Sequence, residues 1–309
     1  MRIVFMGTPA FAVPVLRQLV LNNYELTAVY TKQDKLAGRG QKICFSAVKS
    51  VSLELGLKVL QPVSLKNAGT QAELSAIAPD LIIVAAFGQI LPKEVLQLPR
   101  YGCINIHPSL LPRHRGTNPI ASSILCGDKW GGVSLMQMDE GLDTGPVLAQ
   151  TQVLIRDDDT SDTLSEKLSL MSAQMLIDMI PRLSKGTIVP NPQNNSQATY
   201  FKPMTKESGE INWAFPAVDI WRQVRACQPW PGAFTRFNGR IIKILEAFPC
   251  ETECAAAPGA VIPLGKSCVI STGHGMLELR RVQIEGKQSM SIFDFLNGQS
   301  SFIGATLPC

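Results

Sequence analysis

Up to about residue 183 the chain alternates short β-branched runs with helix-patterned segments, and that alternation narrows its possible folds more than any other feature. Strand candidates are Arg2–Met6, Leu26–Tyr30, Lys58–Leu60, Asp80–Ala86, Cys103–His107, Val133–Met138 and Val147–Ile155. Helical patterns fall between them at Ala12–Leu21, Ala47–Leu55, Thr70–Ile77, Lys93–Leu98 and Ile120–Cys126, and a long amphipathic segment follows at Asp162–Leu183. Strands that alternate with helices predict an α/β domain with a Rossmann-like, mostly parallel sheet covered on both faces. Leu81-Ile82-Ile83-Val84-Ala85-Ala86 is apolar at every position, as a central strand of such a sheet requires.

The pattern then breaks. Lys185–Lys206 collects Pro190, Pro192, Gln193, Asn194, Asn195, Ser196 and Pro203, a composition typical of linkers. Beyond it, a helix at Ala217–Ala226 precedes short strands at Ala233–Phe237, Ile241–Ala247, Ala260–Ile262, Cys268–Ser271 and Leu277–Ile284. These predict a smaller C-terminal β-barrel domain. The expected division is 1–189, a linker over 190–206, and 207–309.

The richest chemistry lies at the end of the fifth strand candidate, in Asn105-Ile106-His107-Pro108-Ser109-Leu110-Leu111-Pro112-Arg113-His114-Arg115-Gly116. Residues two apart on a strand project from one face, so Asn105 and His107 point together. The carboxyl end of a parallel strand is where open α/β sheets place their ligands. Asp143, in the turn Asp139-Glu140-Gly141-Leu142-Asp143-Thr144-Gly145, offers a carboxylate. An amide donor, a titratable ring and a carboxylate suit chemistry at a carbonyl. A structural pair ending a strand is the competing reading of Asn105 and His107, and a simple turn residue that of Asp143.

Three further stretches carry alternatives. The loop Ser109–Gly116 is either solvated or a stiff wall against a flat ligand, with Gly88, Gln89, Ile90 and Leu91 as a possible opposite wall. Asp34–Lys42 carries Lys35, Arg39 and Lys42 on a Gly-containing tip, either solvated or a phosphate-contacting arm. Phe5-Met6-Gly7-Thr8-Pro9 sits where a dinucleotide-binding protein carries its glycine fingerprint. Only Gly7 is present and Pro9 removes an amide, so no NAD is expected.

A net charge of +4 over 309 residues permits an RNA partner without demanding one. Eight cysteines form no CxxC pair, and Cys250 and Cys254 have no histidine nearby, so no metal is expected and free thiols in a reducing compartment are. No signal peptide or membrane-length apolar run is visible, which reads as a cytoplasmic protein with no membrane partner.

The Asn-x-His strand end, the Ser-Leu-Leu-Pro-x-x-Arg-Gly loop and the Asp-x-Gly-x-Asp-Thr-Gly turn together resemble the folate-dependent formyltransferase family. The resemblance extends beyond that shared core. Met6-Gly7-Thr8-Pro9 with Phe11-Ala12-Val13-Pro14, Ala37-Gly38-Arg39-Gly40, Glu210-Ile211-Asn212-Trp213 and Gln228-Pro229-Trp230-Pro231-Gly232-Ala233 resemble the branch that formylates an aminoacylated tRNA. Leu36, His114 and Thr117-Asn118 depart from the usual residues of that branch.

The resemblance implies the formyltransferase fold with an OB-like C-terminal barrel, and a monomer. It implies transfer from 10-formyltetrahydrofolate to the α-amino group of methionyl-initiator tRNA. Asn105, His107 and Asp143 would be catalytic. The folate would lie between Gly88-Gln89-Ile90-Leu91 and Ser109-Leu110-Leu111-Pro112, and Lys35, Arg39 and Lys42 would touch tRNA.

Overall fold

Each strand candidate of the first part is present, and Cys103–His107 keeps its expected bounds. The computed structural model describes residues 1–37, 42–250 and 255–309. In chain order the first strands are β1 (Arg2–Gly7), β2 (Glu25–Tyr30), β3 (Lys35–Ala37), β4 (Lys42–Cys44), β5 (Val59–Leu60) and β6 (Leu81–Ala85). Then come β7 (Cys103–His107), β8 (Arg115–Gly116), β9 (Trp130–Gln137), β10 (Val147–Leu154) and β11 (Tyr200–Phe201). The helices are α1 (Val13–Leu21), α2 (Ala47–Glu54), α3 (Ala68–Ile77), α4 (Lys93–Leu96), α5 (Pro119–Leu125) and α6 (Ser161–Ser184).

The main sheet has the order β10-β9-β7-β6-β1-β2-β5. Its five strands from β7 to β5 are parallel, while β9 runs antiparallel to β7 and β10 antiparallel to β9. Every residue of β6 is buried, which explains its unbroken apolar run. From β1 the chain goes to β2 on one side and later returns to β6 on the other. That reversal leaves a crevice beyond the carboxyl ends of β1 and β6, with β7 next in order. Local signals agree with the fold. Ser46 caps α2 through the amide of Lys49, and Asn67 caps α3 through those of Gly69 and Thr70.

By contacts the chain divides into two units. One holds Met1–Pro119, Trp130–Leu154 and Ser165–Phe201, and the other Ile120–Lys129, Ile155–Leu164 and Lys202–Cys309. The second unit is built on α7 (Ala217–Ala226), β12 (Phe234–Phe237), β13 (Arg240–Cys250), β14 (Val261–Leu264), β15 (Ser267–Ser271), β16 (Met276–Ile284), β17 (Met290–Ser291) and α8 (Ile292–Gly298). Its antiparallel order is β12-β13-β16-β15-β14, with β17 on β16. Register shifts at Ile244/Glu246 and Glu246/Ala247 bend the long strand β13, as bulges do, and curl the sheet into a half-barrel.

Trp213 anchors this second core. It is fully buried among residues such as Ile220, Val224, Ile244 and Leu279, and its indole N–H donates to Thr235 Oγ1 at 3.2 Å. Trp213→Ala removes a large buried side chain and strands the threonine hydroxyl, so we expect a loss of about 3–5 kcal/mol. Denaturant unfolding monitored by circular dichroism measures this, and a change below about 1 kcal/mol would contradict the packing described. Burial also pushes the thiols of Cys103, Cys227 and Cys268 up to about 12, which makes them inert core residues.

Among the described residues no helix is long and apolar enough to cross a membrane.

Candidate active site

β7 is held on both sides. Asn105 lies opposite Val84 of β6 and Met136 of β9, and His107 lies opposite Ser134 of β9. Strand alternation buries Ile104 and Ile106 on one face and presents Asn105 and His107 on the other. Asn105 stays half-buried, whereas His107 is buried.

Asp143 joins them. Asn105 Nδ2 donates to Asp143 Oδ1 at 3.3 Å, and the amide of Gly116 donates to Oδ2 at 2.8 Å. His107 Nδ1 faces the same Oδ2 at 3.7 Å, an ion-pair distance too long for a hydrogen bond. The other ring nitrogen, Nε2, lies 2.9 Å from the carbonyl oxygen of His114. A carbonyl only accepts, so Nε2 carries a hydrogen and Nδ1 is the basic nitrogen. An amide has two N–H bonds, and one of them is spent on Asp143. The second makes no hydrogen bond among the described residues.

The ring is not held charged, contrary to what a facing carboxylate alone suggests. Burial lowers the His107 pKa below its ordinary 6.5 and outweighs the opposing pull of Asp143 and of the His114 carbonyl. The resting ring is therefore neutral at pH 7. Its contribution to stability is full above pH 6.5 and is lost as pH falls toward the folded midpoint, because the unfolded chain takes up that proton first.

The turn that carries Asp143 is tightly specified. Asp143 has φ +53°, left-handed backbone that costs most non-glycine residues about 1–2 kcal/mol and that aspartate tolerates better. Asp139 Oδ1 accepts from the Gly141 amide at 3.1 Å and from Thr144 Oγ1 at 2.7 Å. A Cβ at Gly145 would overlap the Gln137 carbonyl, so that position must be glycine.

The expected folate-contacting residues lie on both flanks of β7. Beyond β6, Gly88 and Ile90 are exposed, whereas Leu91 is buried in the core. Gln89 turns inward, accepting from the Leu65 amide and donating to the Pro62 carbonyl. Ser109–Pro112 turns the other way, toward β9 and β10. The Leu111 amide donates to Ser134 Oγ, Gln150 donates to the Leu111 carbonyl, and Leu110 covers Gly132. Ser109 Oγ closes this loop on the Arg113 carbonyl. A cavity of about 440 Å³ lies between α4 and the turn, lined by Lys93, Leu96, Gln97 and Met138 to Gly141. A second, of about 530 Å³, borders Leu111 and Pro112.

Of the expected tRNA contacts, Lys35 is exposed on the β3–β4 hairpin. Arg39 lies outside the described residues, and of Lys42 only the backbone, in β4, is described. In the second unit Arg225 is withdrawn from any surface role. It is buried, stacks on Trp221 and donates to the Asp159 carbonyl.

For 109–116 the sequence offers a solvated loop or a ligand wall, and Arg115 is not solvated. It is buried, and its guanidinium meets Gln193, Asn195 and Tyr200. Three partners of the site were therefore missed: the His114 carbonyl, the Gly116 amide and Gln193, which donates to the carbonyls of Asp143 and Gly145. The first two are main-chain groups, which no residue type announces. Gln193 sits in a stretch whose composition reads as linker.

With this geometry in view, known proteins supply the family. Residues 1–180 match the model of the formyl transferase domain, and residues 203–300 match that of the formyl transferase C-terminal domain. A methionyl-tRNA formyltransferase from Dehalococcoides mccartyi is 46% identical, over 99% of this chain and 98% of its own. Two solved structures share the fold at low identity. HypX from Aquifex aeolicus in complex with tetrahydrofolic acid superposes with a TM-score of 0.65 at 21% identity, over 98% of this chain. The match spans 47% of that longer protein. A methionyl-tRNA formyltransferase from Clostridium thermocellum gives a TM-score of 0.56 at 20% identity, over 82% of this chain and 95% of its own. By both of its domains and its full-length relatives, the chain belongs to the formyl transferase family.

Proposed function

We propose that the chain transfers the formyl group of 10-formyltetrahydrofolate to the α-amino group of methionyl-initiator tRNA, with Asn105, His107 and Asp143 as the catalytic set. The observation that carries the chemistry is the convergence of these three side chains at the carboxyl end of β7. The choice of acceptor is supported by identity to methionyl-tRNA formyltransferases through both domains.

A free α-amine has a pKa of about 7.7–8.0, so near neutral pH enough is unprotonated to attack without a strong base. Attack on the formyl carbon gives a tetrahedral species with an oxyanion and an ammonium. The free N–H of Asn105 is aimed at that oxyanion. Neutral His107 accepts the ammonium proton at Nδ1, where Asp143 stabilises the new imidazolium. The proton then passes to the folate nitrogen as the carbon–nitrogen bond breaks. No residue ends with a net gain or loss.

The pterin is assigned to the flanks of β7, between Gly88-Gln89-Ile90-Leu91 and Ser109-Leu110-Leu111-Pro112; the cavity between α4 and the 138–141 turn, lined by none of these eight residues, offers further room for the folate. The volume is within the range of small-ligand sites. Catalysis is assigned to residues 1–189 and tRNA contact to 207–309, with Lys35, Arg39 and Lys42 as additional phosphate contacts. A monomer acting in the cytoplasm, without metal or NAD, completes the proposal. The test offers the purified chain 10-formyltetrahydrofolate with charged initiator tRNA, an amino-sugar nucleotide, or glycinamide ribonucleotide. Formylation of the tRNA is expected; preference for either small amine would overturn the acceptor.

A further inference from the structure

The segment between the two matched domains is bound to the catalytic turn rather than strung past it. Gln193 donates through Nε2 to two carbonyls at once, that of Asp143 at 2.9 Å and that of Gly145 at 2.6 Å. Its Oε1 accepts from Arg115 twice, from Nε at 3.1 Å and from Nη2 at 2.8 Å. An arginine fork of this kind usually grips a carboxylate. Here it grips a neutral amide, and the remaining partners, Asn195 Oδ1 at 2.8 Å and Tyr200 OH at 3.0 Å, are neutral too.

Arg115 is the middle residue of the segment that holds the site. On one side of it the His114 carbonyl fixes His107, and on the other the Gly116 amide fixes Asp143. That segment is itself tied down by Thr199, whose carbonyl accepts from the Arg115 amide and whose hydroxyl accepts from the His114 amide. Gln193 thus spans the two supports of Asp143: the turn that carries its backbone and the strand whose amide grips its carboxylate.

We propose that Gln193 is a positioning residue for formyl transfer, holding the Asp143 turn against Arg115 so that the carboxylate stays in register with His107 and Asn105. The proposal rests on the assignment of those three side chains as the catalytic set. It extends the active site into residues 193–200, which contact no reacting atom.

Two full-length variants separate holding the turn from merely satisfying Arg115. Gln193→Ala removes both ties. Gln193→Glu keeps an acceptor for the Arg115 fork, strengthened by charge, but replaces the donor to the two carbonyls with an oxygen that repels them. Both variants should lose kcat by on the order of 10-fold to 100-fold, as small misplacements in active sites do. KM for charged tRNA should change little. The His107 ring should titrate lower by NMR, because the carboxylate that supports its charged form has moved away. In an Asp143→Asn background, adding Gln193→Ala should cost almost nothing further.

Wild-type kcat in folded Gln193→Ala, or in Gln193→Glu, would overturn the proposal. So would a full additional loss on top of Asp143→Asn. Failure of the underlying assignment looks different: Asp143→Asn alone would then retain activity.

Discussion

Asn105→Ala is expected to lower kcat by on the order of 100-fold or more while leaving the protein folded, because in the proposed mechanism it deletes a single donor to the developing oxyanion. The stability cost should be small. Asn105 is only half-buried, and its partner Asp143 keeps the Gly116 amide at 2.8 Å. The loss should fall on kcat, with KM for the folate and for charged tRNA nearly unchanged, since the interaction strengthens only as charge builds on oxygen. Single-turnover formylation with saturating substrates measures it directly. A rate within a few-fold of wild type in a variant with an unchanged melting curve would remove Asn105 from the mechanism.

For Asp143→Asn we expect a loss on the order of 100-fold to 10,000-fold, the range associated with disabling positioned proton transfer. This substitution is the cleanest available at the site. Asparagine accepts the left-handed backbone at φ +53°, and its carbonyl can still accept from Gly116. What disappears is the negative charge 3.7 Å from His107 Nδ1. The sign of the accompanying change is fixed: burial lowers the His107 pKa and Asp143 raises it, so the midpoint, already below 6.5, must fall further. Imidazole resonances followed against pH would show this. A midpoint that stays put or rises would mean that Asp143 acts on the turn alone and not on the ring.

The α/β pattern, the strand Cys103–His107 and the pairing of Asn105 with His107 were legible because each follows from a period along the chain. Asp143 was legible as a carboxylate on a turn, and the family motifs placed it with the other two. Side-chain direction within loops was not. Gln89 hydrogen-bonds to Pro62 and Leu65, and Ser109 to the Arg113 carbonyl, contacts that no periodicity announces. Arg115 lies in a loop that reads as either solvated or a ligand wall, and its burial comes with long-range pairing to 193–200, which no local pattern announces. The neutral state of His107 was hidden for a related reason: burial, which sets its sign, is a property of the assembled fold.

The left-handed backbone at Asp143 also isolates that position in sequence space. Asparagine and glycine keep the turn but lose the charge, while glutamate keeps the charge but is one methylene longer and strains the same backbone. No single substitution preserves both. Any replacement at residue 143 therefore gives up either the charge or the unstrained turn.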